Sequence, residues 1–241
     1  MDSIHDLMVN DIKERKRYGV ERHGSTLLAH QGRNSLLDAY HQSLDMAAYL
    51  KTQLAEEAEP RITDIYLDID DVLVDFRGQA LAAHGISHVD VDMTNPVLCV
   101  GMGLTQDSFW SRCRGQIFWE TMPWLPWGRE IIELVQLAPV TSWLLTSPSN
   151  DPGCWAGKYA WVKNNLPGKI ETLIMAQQKV ALAGPGRLLI DDREDVCDQW
   201  IGKGGDAILV PKPWNRHRAY VDYALGEIRH QLSSRAWRFA V

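Results

Sequence analysis

Six side chains with carboxylate or hydroxyl groups lie at the ends of three short apolar runs in the sequence. They are Asp68 and Asp70 at the first run, Thr146 and Ser147 after the second, and Asp191 and Asp192 after the third. Lys179 lies between the last two pairs. If the runs are parallel strands, their carboxyl ends meet at one edge of a sheet, where ligands bind in such folds. Carboxylates gathered there repel one another, so we expect a hard divalent cation such as Mg²⁺ among them.

This set of residues has the groups that phosphoryl transfer needs. The Asp68 carboxylate can attack a phosphorus atom and form an aspartyl-phosphate intermediate. Asp70 is two residues further along and on the same side of the strand end, so it can protonate the leaving oxygen and later activate water. Thr146 and Lys179 can hold the phosphoryl oxygens in the transition state. The pattern predicts a metal-dependent phosphoryl-transfer enzyme.

The elements that must position these groups are short strands separated by helices. Four apolar runs predict buried strands at 62–69, 140–145, 187–190 and 207–210. Amphipathic stretches predict helices between them, for example at 128–137 and 159–165. Alternation of strand and helix predicts an α/β fold with a doubly wound parallel sheet.

The first 60 residues have a different, helical pattern. A first helix is predicted at 3–18, and a second begins after Asn34, a favourable capping residue. The second has an apolar face formed by Leu37, Tyr40, Leu44, Ala47, Leu50 and Leu54. It ends before Pro60, which cannot continue a helix. Two helices bury little apolar surface alone, so we expect a helical hairpin that packs on the domain at 61–241 or on a second copy of the chain, which would form a homo-oligomer.

Composition excludes several classes of protein. The 241 residues include 25 Lys and Arg against 31 Asp and Glu, a net charge of −6, and this acidic balance argues against binding of duplex nucleic acid. No apolar run reaches the ~18–20 residues that a membrane helix needs. The beginning of the chain lacks signal-peptide order, and the four cysteines form no CxxC pair, so we expect a cytoplasmic protein with reduced thiols. The ten Trp residues, most of them between Trp110 and Trp200, leave room for an aromatic ligand pocket.

Residues 62–215 resemble the haloacid dehalogenase superfamily of phosphotransferases, and within it the 5′(3′)-deoxyribonucleotidases. The superfamily pattern is DxDx(T/V), then Ser or Thr, then Lys, then an acidic pair, in that order along the chain. Longer matches indicate the subfamily: DIDDVLVDF at the first motif, LLTSP followed by GKYAWV at the second, and LLIDDR at the last. The resemblance implies a Mg²⁺-dependent phosphomonoesterase that cleaves deoxynucleoside 5′-monophosphates.

The resemblance also implies a role for each matching residue. Asp68 would be the nucleophile and Asp70 the general acid and base. Mg²⁺ would be bound by Asp68, the backbone carbonyl of Asp70, and Asp192, with Asp191 orienting a metal-bound water or Lys179. Phosphate would be held by Thr146, Ser147 and Lys179, with Lys158 close to the phosphate or sugar.

A helical cap inserted after the first strand, at about 77–122, would close over the substrate. Phe76 matches an aromatic residue that packs on the base, and Trp110 corresponds to a base-stacking Trp. Phe118 and Trp119 follow at the rim of the pocket. Asp71 departs from the family, which usually has Gly there; its carboxylate would either change the charge beside the metal or point away from it.

Two other interpretations remain open. The same chemistry can act on another phosphate ester, such as a sugar phosphate or a 3′-phosphate end, and the fold can serve a non-catalytic nucleotide-binding protein. The N-terminal segment resembles a fragment of the MazG-type nucleotide pyrophosphohydrolases. It lacks the first acid of their ExxD motif, since Gln42 stands three residues before Asp45. A structural or oligomer-forming remnant is favoured there, with residual nucleotide binding as the alternative.

Overall fold

The computed structural model describes residues 4–24, 35–58, 61–166, 168–169 and 172–239. The chain divides into two compact units, Met1–Ala58 and Glu59–Val241. Among the described residues, no helix combines the length and the apolar character needed to cross a membrane.

The first unit contains helices α1 (Ile4–His23) and α2 (Ser35–Ala58). Helix α1 is five residues longer at its C-terminal end than predicted. The predicted cap Asn34 and the connection between the helices lie outside the described residues. Large apolar side chains of α2 are exposed, among them Leu37 and Leu44. Self-association through this face stays a prediction.

The second unit is built on a five-stranded, all-parallel sheet, which confirms the predicted fold class. The strands are β1 (Asp64–Leu67), β2 (Thr141–Thr146), β3 (Leu173–Met175), β4 (Arg187–Asp191) and β5 (Asp206–Leu209). Their order is β3-β2-β1-β4-β5, so β1 is central and pairs with β2 and β4. Four strands match the predicted apolar runs. Strand β3 was not predicted, because it has only three residues, all half-buried, at one edge of the sheet.

Alternate residues of the strands enter two separate cores. Ile65 and Leu67 of β1 pack in the larger core, and Tyr66 packs with Trp200 in the smaller one. This period of two is expected for a sheet that is covered on both faces. The covering helices are α7 (Gly128–Gln136), α8 (Pro152–Asn165), α9 (Glu194–Gly202) and α10 (Ala224–Ser234). Helix α7 agrees with the prediction to within one residue, and α8 begins seven residues earlier than predicted.

The long connection between β1 and α7 is helical and includes the segment predicted to be a cap, and its closing over a substrate stays a prediction. It contains α3 (Phe76–His84), α4 (Leu98–Gly101), α5 (Gln106–Arg112) and α6 (Gln116–Glu120). Helix α6 packs directly on α8 at Gly157. A Cβ atom at Gly157 would overlap the Gln116 carbonyl oxygen and approach the Trp119 side chain. Glycine at this position therefore allows the cap helix to lie against the backbone of α8.

Candidate active site

Asp68 lies at the carboxyl end of the central strand. Its backbone N–H donates to the Ile190 carbonyl (3.0 Å), which extends the pairing of β1 with β4. Its side chain is buried, and Oδ1 accepts a hydrogen bond from the Ile69 N–H (2.7 Å) and contacts Lys179 Nζ (2.7 Å). These contacts hold the Asp68 carboxylate in one orientation at the edge of the sheet.

Lys179 joins two strand ends. It lies on a single-turn 3₁₀ helix (Lys179–Leu182), is 5% exposed, and contacts Asp191 Oδ2 as well as Asp68 Oδ1, both at 2.7 Å. Burial lowers the pKa of Lys179, but Asp191 and Asp68 raise it by more, so the pKa lies above its ordinary value. The ammonium group therefore stays charged between the two carboxylates.

Three buried carboxylates can share one cation. Asp68, Asp191 and Asp192 each offer an oxygen atom, and these oxygens lie within 4.8 Å of one another. Burial raises the pKa of Asp68 to about 7; Lys179 opposes this rise, and Asp191 and Asp70 add to it. Burial and the charges of Asp191 and Asp71 also raise the pKa of Asp192. A hard divalent cation such as Mg²⁺ fits this all-oxygen donor set and would offset the repulsion.

Asp70 is held by a buried lysine. Lys158 on α8 has no exposed surface, and its Nζ contacts Asp70 Oδ2 and donates to Thr146 Oγ1 (2.6 Å) and to the Ser147 carbonyl (3.1 Å). Asp70 Oδ1 is buried without a hydrogen-bond partner among the described residues. Lys158 thus fixes one oxygen of the proposed acid and base and leaves the other unpaired.

A cavity of about 890 Å³ opens at this edge of the sheet. The predicted site residues on its wall are Asp68, Asp70, Phe76, Trp110, Trp119, Ser147, Lys179 and Asp192. Four others are close by but do not line it: Thr146, Lys158, Asp191 and Phe118. Ser147 lines the cavity while its Oγ donates to the Ala176 carbonyl (3.1 Å).

One wall of the cavity is aromatic. Phe76 and Trp119 stack with ring centroids 5.6 Å apart and planes 11° apart, and Trp110 lies 6.5 Å from Trp119 at 22°. Trp110 is 38% exposed, and its indole N–H donates to Gln106 Oε1 (2.9 Å). Phe118 is buried edge-on against Phe76 and Trp119, so it supports this wall from behind.

The structure adds residues that were not predicted as part of the site. Arg77, Trp214 and Asn215 line the cavity, and Lys212 is buried nearby, with its Nζ 5.6 Å from the Trp214 ring centroid. Trp214 and Asn215 follow β5, so the rule that ligands bind after strand ends could have found them. Arg77 carries no comparable signal, because its position depends on the path of the cap.

Asp71 has an unusual backbone conformation. Its φ is +54°, the left-handed region that favours glycine, which accounts for the glycine expected there from the family resemblance. Its Oδ1 accepts from the backbone N–H of Arg77 (3.1 Å), and Oδ2 lies 3.7 Å from Arg77 Nε. Burial raises the pKa of Asp71 to about 6, with Lys212 and Arg77 opposing the rise. The extra carboxylate therefore faces two cations.

Comparisons with known proteins give distant structural likenesses. No protein-family model and no curated protein matches the chain. A putative β-phosphoglucomutase from Bacteroides vulgatus is similar with a TM-score of 0.46 at 11% identity, over 76% of this chain and 93% of that one. L-2-haloacid dehalogenase from Xanthobacter autotrophicus gives 0.40 at 12% identity, over 62% and 77%. A HAD family enzyme from Bacteroides thetaiotaomicron, in complex with magnesium and inorganic phosphate, gives 0.37 at 13% identity, over 66% and 99%.

Proposed function

We propose that this chain is a Mg²⁺-dependent phosphomonoesterase of the haloacid dehalogenase superfamily that hydrolyses deoxynucleoside 5′-monophosphates. The observation that carries the proposal is the contact of Lys179 with both Asp68 and Asp191, beside Asp192, at the edge of an aromatic-walled cavity. A nucleophilic carboxylate, a cation for phosphoryl oxygens and an acidic metal site are together there.

The first half-reaction uses Asp68 and Asp70. The Asp68 carboxylate attacks phosphorus, the bond from phosphorus to the ester oxygen breaks, and a proton from Asp70 passes to the leaving oxygen. The products are the free nucleoside and a phosphorylated Asp68. Lys179, 2.7 Å from Asp68 Oδ1, stabilises the negative charge that develops on the phosphoryl oxygens.

The second half-reaction restores the enzyme. Asp70 accepts a proton from a water molecule, the water oxygen attacks phosphorus, and the bond from phosphorus to the Asp68 oxygen breaks. Inorganic phosphate leaves and the Asp68 carboxylate is regenerated. Asp68, the backbone carbonyl of Asp70 and Asp192 would hold Mg²⁺, with Asp191 beside them in contact with Lys179; when bound, the ion neutralises charge on the phosphate group.

The aromatic wall supports a nucleotide as the substrate. Phe76, Trp119 and Trp110 line the cavity as a stacked set of rings, and Trp110 is 38% exposed. Stacking of a base on such rings is favourable by about 1–3 kcal/mol. A sugar phosphate offers no planar group for this wall.

Phosphate release from a panel of deoxy- and ribonucleoside 5′- and 3′-monophosphates tests the proposal, with Mg²⁺ and with a chelator. Glycerol phosphate and an aryl phosphate are included as esters without a base. Asp68→Asn, whose amide is a poor nucleophile, is compared with Asp222→Asn, which changes an exposed carboxylate elsewhere in the chain.

Mg²⁺-dependent release from deoxynucleoside 5′-monophosphates, lost in Asp68→Asn and kept in Asp222→Asn, is the expected result. Release only from the esters without a base would support the phosphatase activity but contradict a nucleotide as the substrate. Stoichiometric nucleotide binding with no release from any ester would reject the enzyme in favour of a binding protein.

A further inference from the structure

A continuous set of contacts joins the cap backbone to Asp192. The indole N–H of Trp214 donates to Asp192 Oδ2 (3.0 Å). The guanidinium carbon of Arg77 lies 3.5 Å from the centroid of a Trp214 ring. The two terminal nitrogens of Arg77 donate to the backbone carbonyls of Asn95 and Pro96, both at 2.9 Å. The cap segment at 95–96 is therefore connected to one of the three clustered carboxylates through two side chains.

Arg77 is well fixed in this position. It is 5% exposed, it is the second residue of the cap helix α3, and its charge faces the Asp71 carboxylate. A planar guanidinium can stack on an aromatic ring and donate to two acceptors at the same time, which a lysine cannot do. The contacts with 95–96 and with Trp214 therefore depend on arginine as such.

The loop that carries Trp214 is also fixed. The Asn215 side-chain amide donates to the backbone carbonyls of Asp192 (2.9 Å) and Val210 (2.8 Å). This residue holds the loop after β5 against the end of β4. Asn215 therefore fixes the backbone of this loop beside Asp192, and the guanidinium of Arg77 packs on the Trp214 ring itself.

We propose that Trp214 is a positioning residue for the Asp192 carboxylate, and that Arg77 couples this carboxylate to the cap. This inference rests on the proposed metal site, and it concerns residues that take no part in the two half-reactions. A hydrogen bond to one oxygen of a metal-binding carboxylate restricts its rotation. Loss of such an outer hydrogen bond typically weakens metal binding by about 10- to 100-fold.

Calorimetric titration of Mg²⁺ into the chelator-treated full-length chain tests the inference without relying on activity. Trp214→Phe keeps an aromatic ring under Arg77 but has no N–H donor, and we expect about tenfold weaker Mg²⁺ binding. Arg77→Lys keeps the charge but loses the paired carbonyl contacts and the stacking, and we expect a smaller loss. If the two residues act through one set of contacts, the loss in the double variant is less than the product of the single losses.

Trp143→Phe is the matched control. Its indole N–H also donates to an aspartate, Asp64 Oδ1 (2.8 Å), but at the opposite end of the sheet. Removing it should leave the Mg²⁺ affinity unchanged. Melting curves in chelator establish that each variant is folded. If Trp214→Phe does not fold, Arg77→Lys still tests the link to the cap by the same titration.

The outcomes separate the inference from the proposed function. Wild-type affinity in Trp214→Phe would overturn the positioning role and leave the phosphatase intact. If the loss of Mg²⁺ affinity in the double variant equals the product of the two single losses, the coupling to the cap would be overturned. No Mg²⁺ binding by the wild-type chain would overturn the metal site itself, and the inference with it.

Discussion

Replacing Lys179 by methionine tests how strongly the site depends on its buried charge balance. Methionine has a similar length and fills the same apolar space, so the main change is loss of one ammonium group. That group contacts Asp68 Oδ1 and Asp191 Oδ2 at 2.7 Å each and is almost fully buried. Its removal leaves Asp68 and Asp191 without the cation that they share.

The size of the effect follows from the burial of this ion pair. Removing one partner of a buried pair costs about 3–5 kcal/mol, because the other charge is left uncompensated. For a chain of this size, 1 kcal/mol changes the melting temperature by about 2–4 °C, so Lys179→Met should melt about 6–20 °C below wild type at pH 8 without metal. The loss should be smaller at pH 5.5, because Lys179 opposes the rise in the pKa of Asp68, and without it the carboxyl group takes up a proton more readily.

Circular-dichroism melting at the two pH values, with and without Mg²⁺, measures this effect. Lys163→Met, which removes an exposed lysine on α8, is the control and should melt close to wild type. Mg²⁺ should recover part of the lost stability, while kcat stays about 10²–10³-fold lower because a transition-state donor is missing. A Lys179→Met protein that melts within about 2 °C of wild type at pH 8 would refute the reasoning about buried charge.

Three further outcomes are expected. Asp70→Asn should lower kcat by about 10²–10⁴-fold and remove one limb of the pH–rate profile; a variant with the wild-type profile would contradict its role. Trp110→Ala should raise KM for nucleotides about tenfold and hardly change KM for glycerol phosphate, whereas equal changes would argue against base stacking. Because burial raises the pKa of Asp68 to about 7, folding takes up protons and the stability of the metal-free protein falls as pH rises from about 4 to 7. Mg²⁺ should therefore raise the melting temperature more at pH 8 than at pH 5.5, and the reverse order in a thermal scan would contradict the metal site.

The clustering of the Asp side chains could be predicted, because it follows from the parallel arrangement of the strands. Asp68 and Asp191 end neighbouring parallel strands, so their side chains must meet at one edge of the sheet. Lys158 contacts Asp70 and Thr146 and has no exposed surface, and its position close to a phosphate or sugar stays a prediction. That contact joins residues 88 positions apart and depends on the angle at which α8 meets the sheet.

Other contacts in the site could not be predicted, because no pattern in the nearby sequence indicates them. The stack of Arg77 on Trp214 joins the first cap helix to the loop after β5, and no periodicity in either segment indicates the other. The short strand β3 escaped prediction for a different reason, since three half-buried residues at an edge carry too few contacts to impose a pattern. Topology thus fixes which strand ends converge, while loop paths decide which additional side chains join them.

The close packing of α6 on Gly157 also bears on the length of substrate that the site accepts. Gly157 is followed directly by Lys158, which contacts Asp70, and Lys158 Nζ lies 5.1 Å from the Trp119 ring centroid. One turn of α8 therefore sets the separation between the aromatic wall and Asp70. Under the proposed function, a substrate has to span this separation between its planar group and its phosphorus atom, so the site would select molecules by their length as well as by their chemistry.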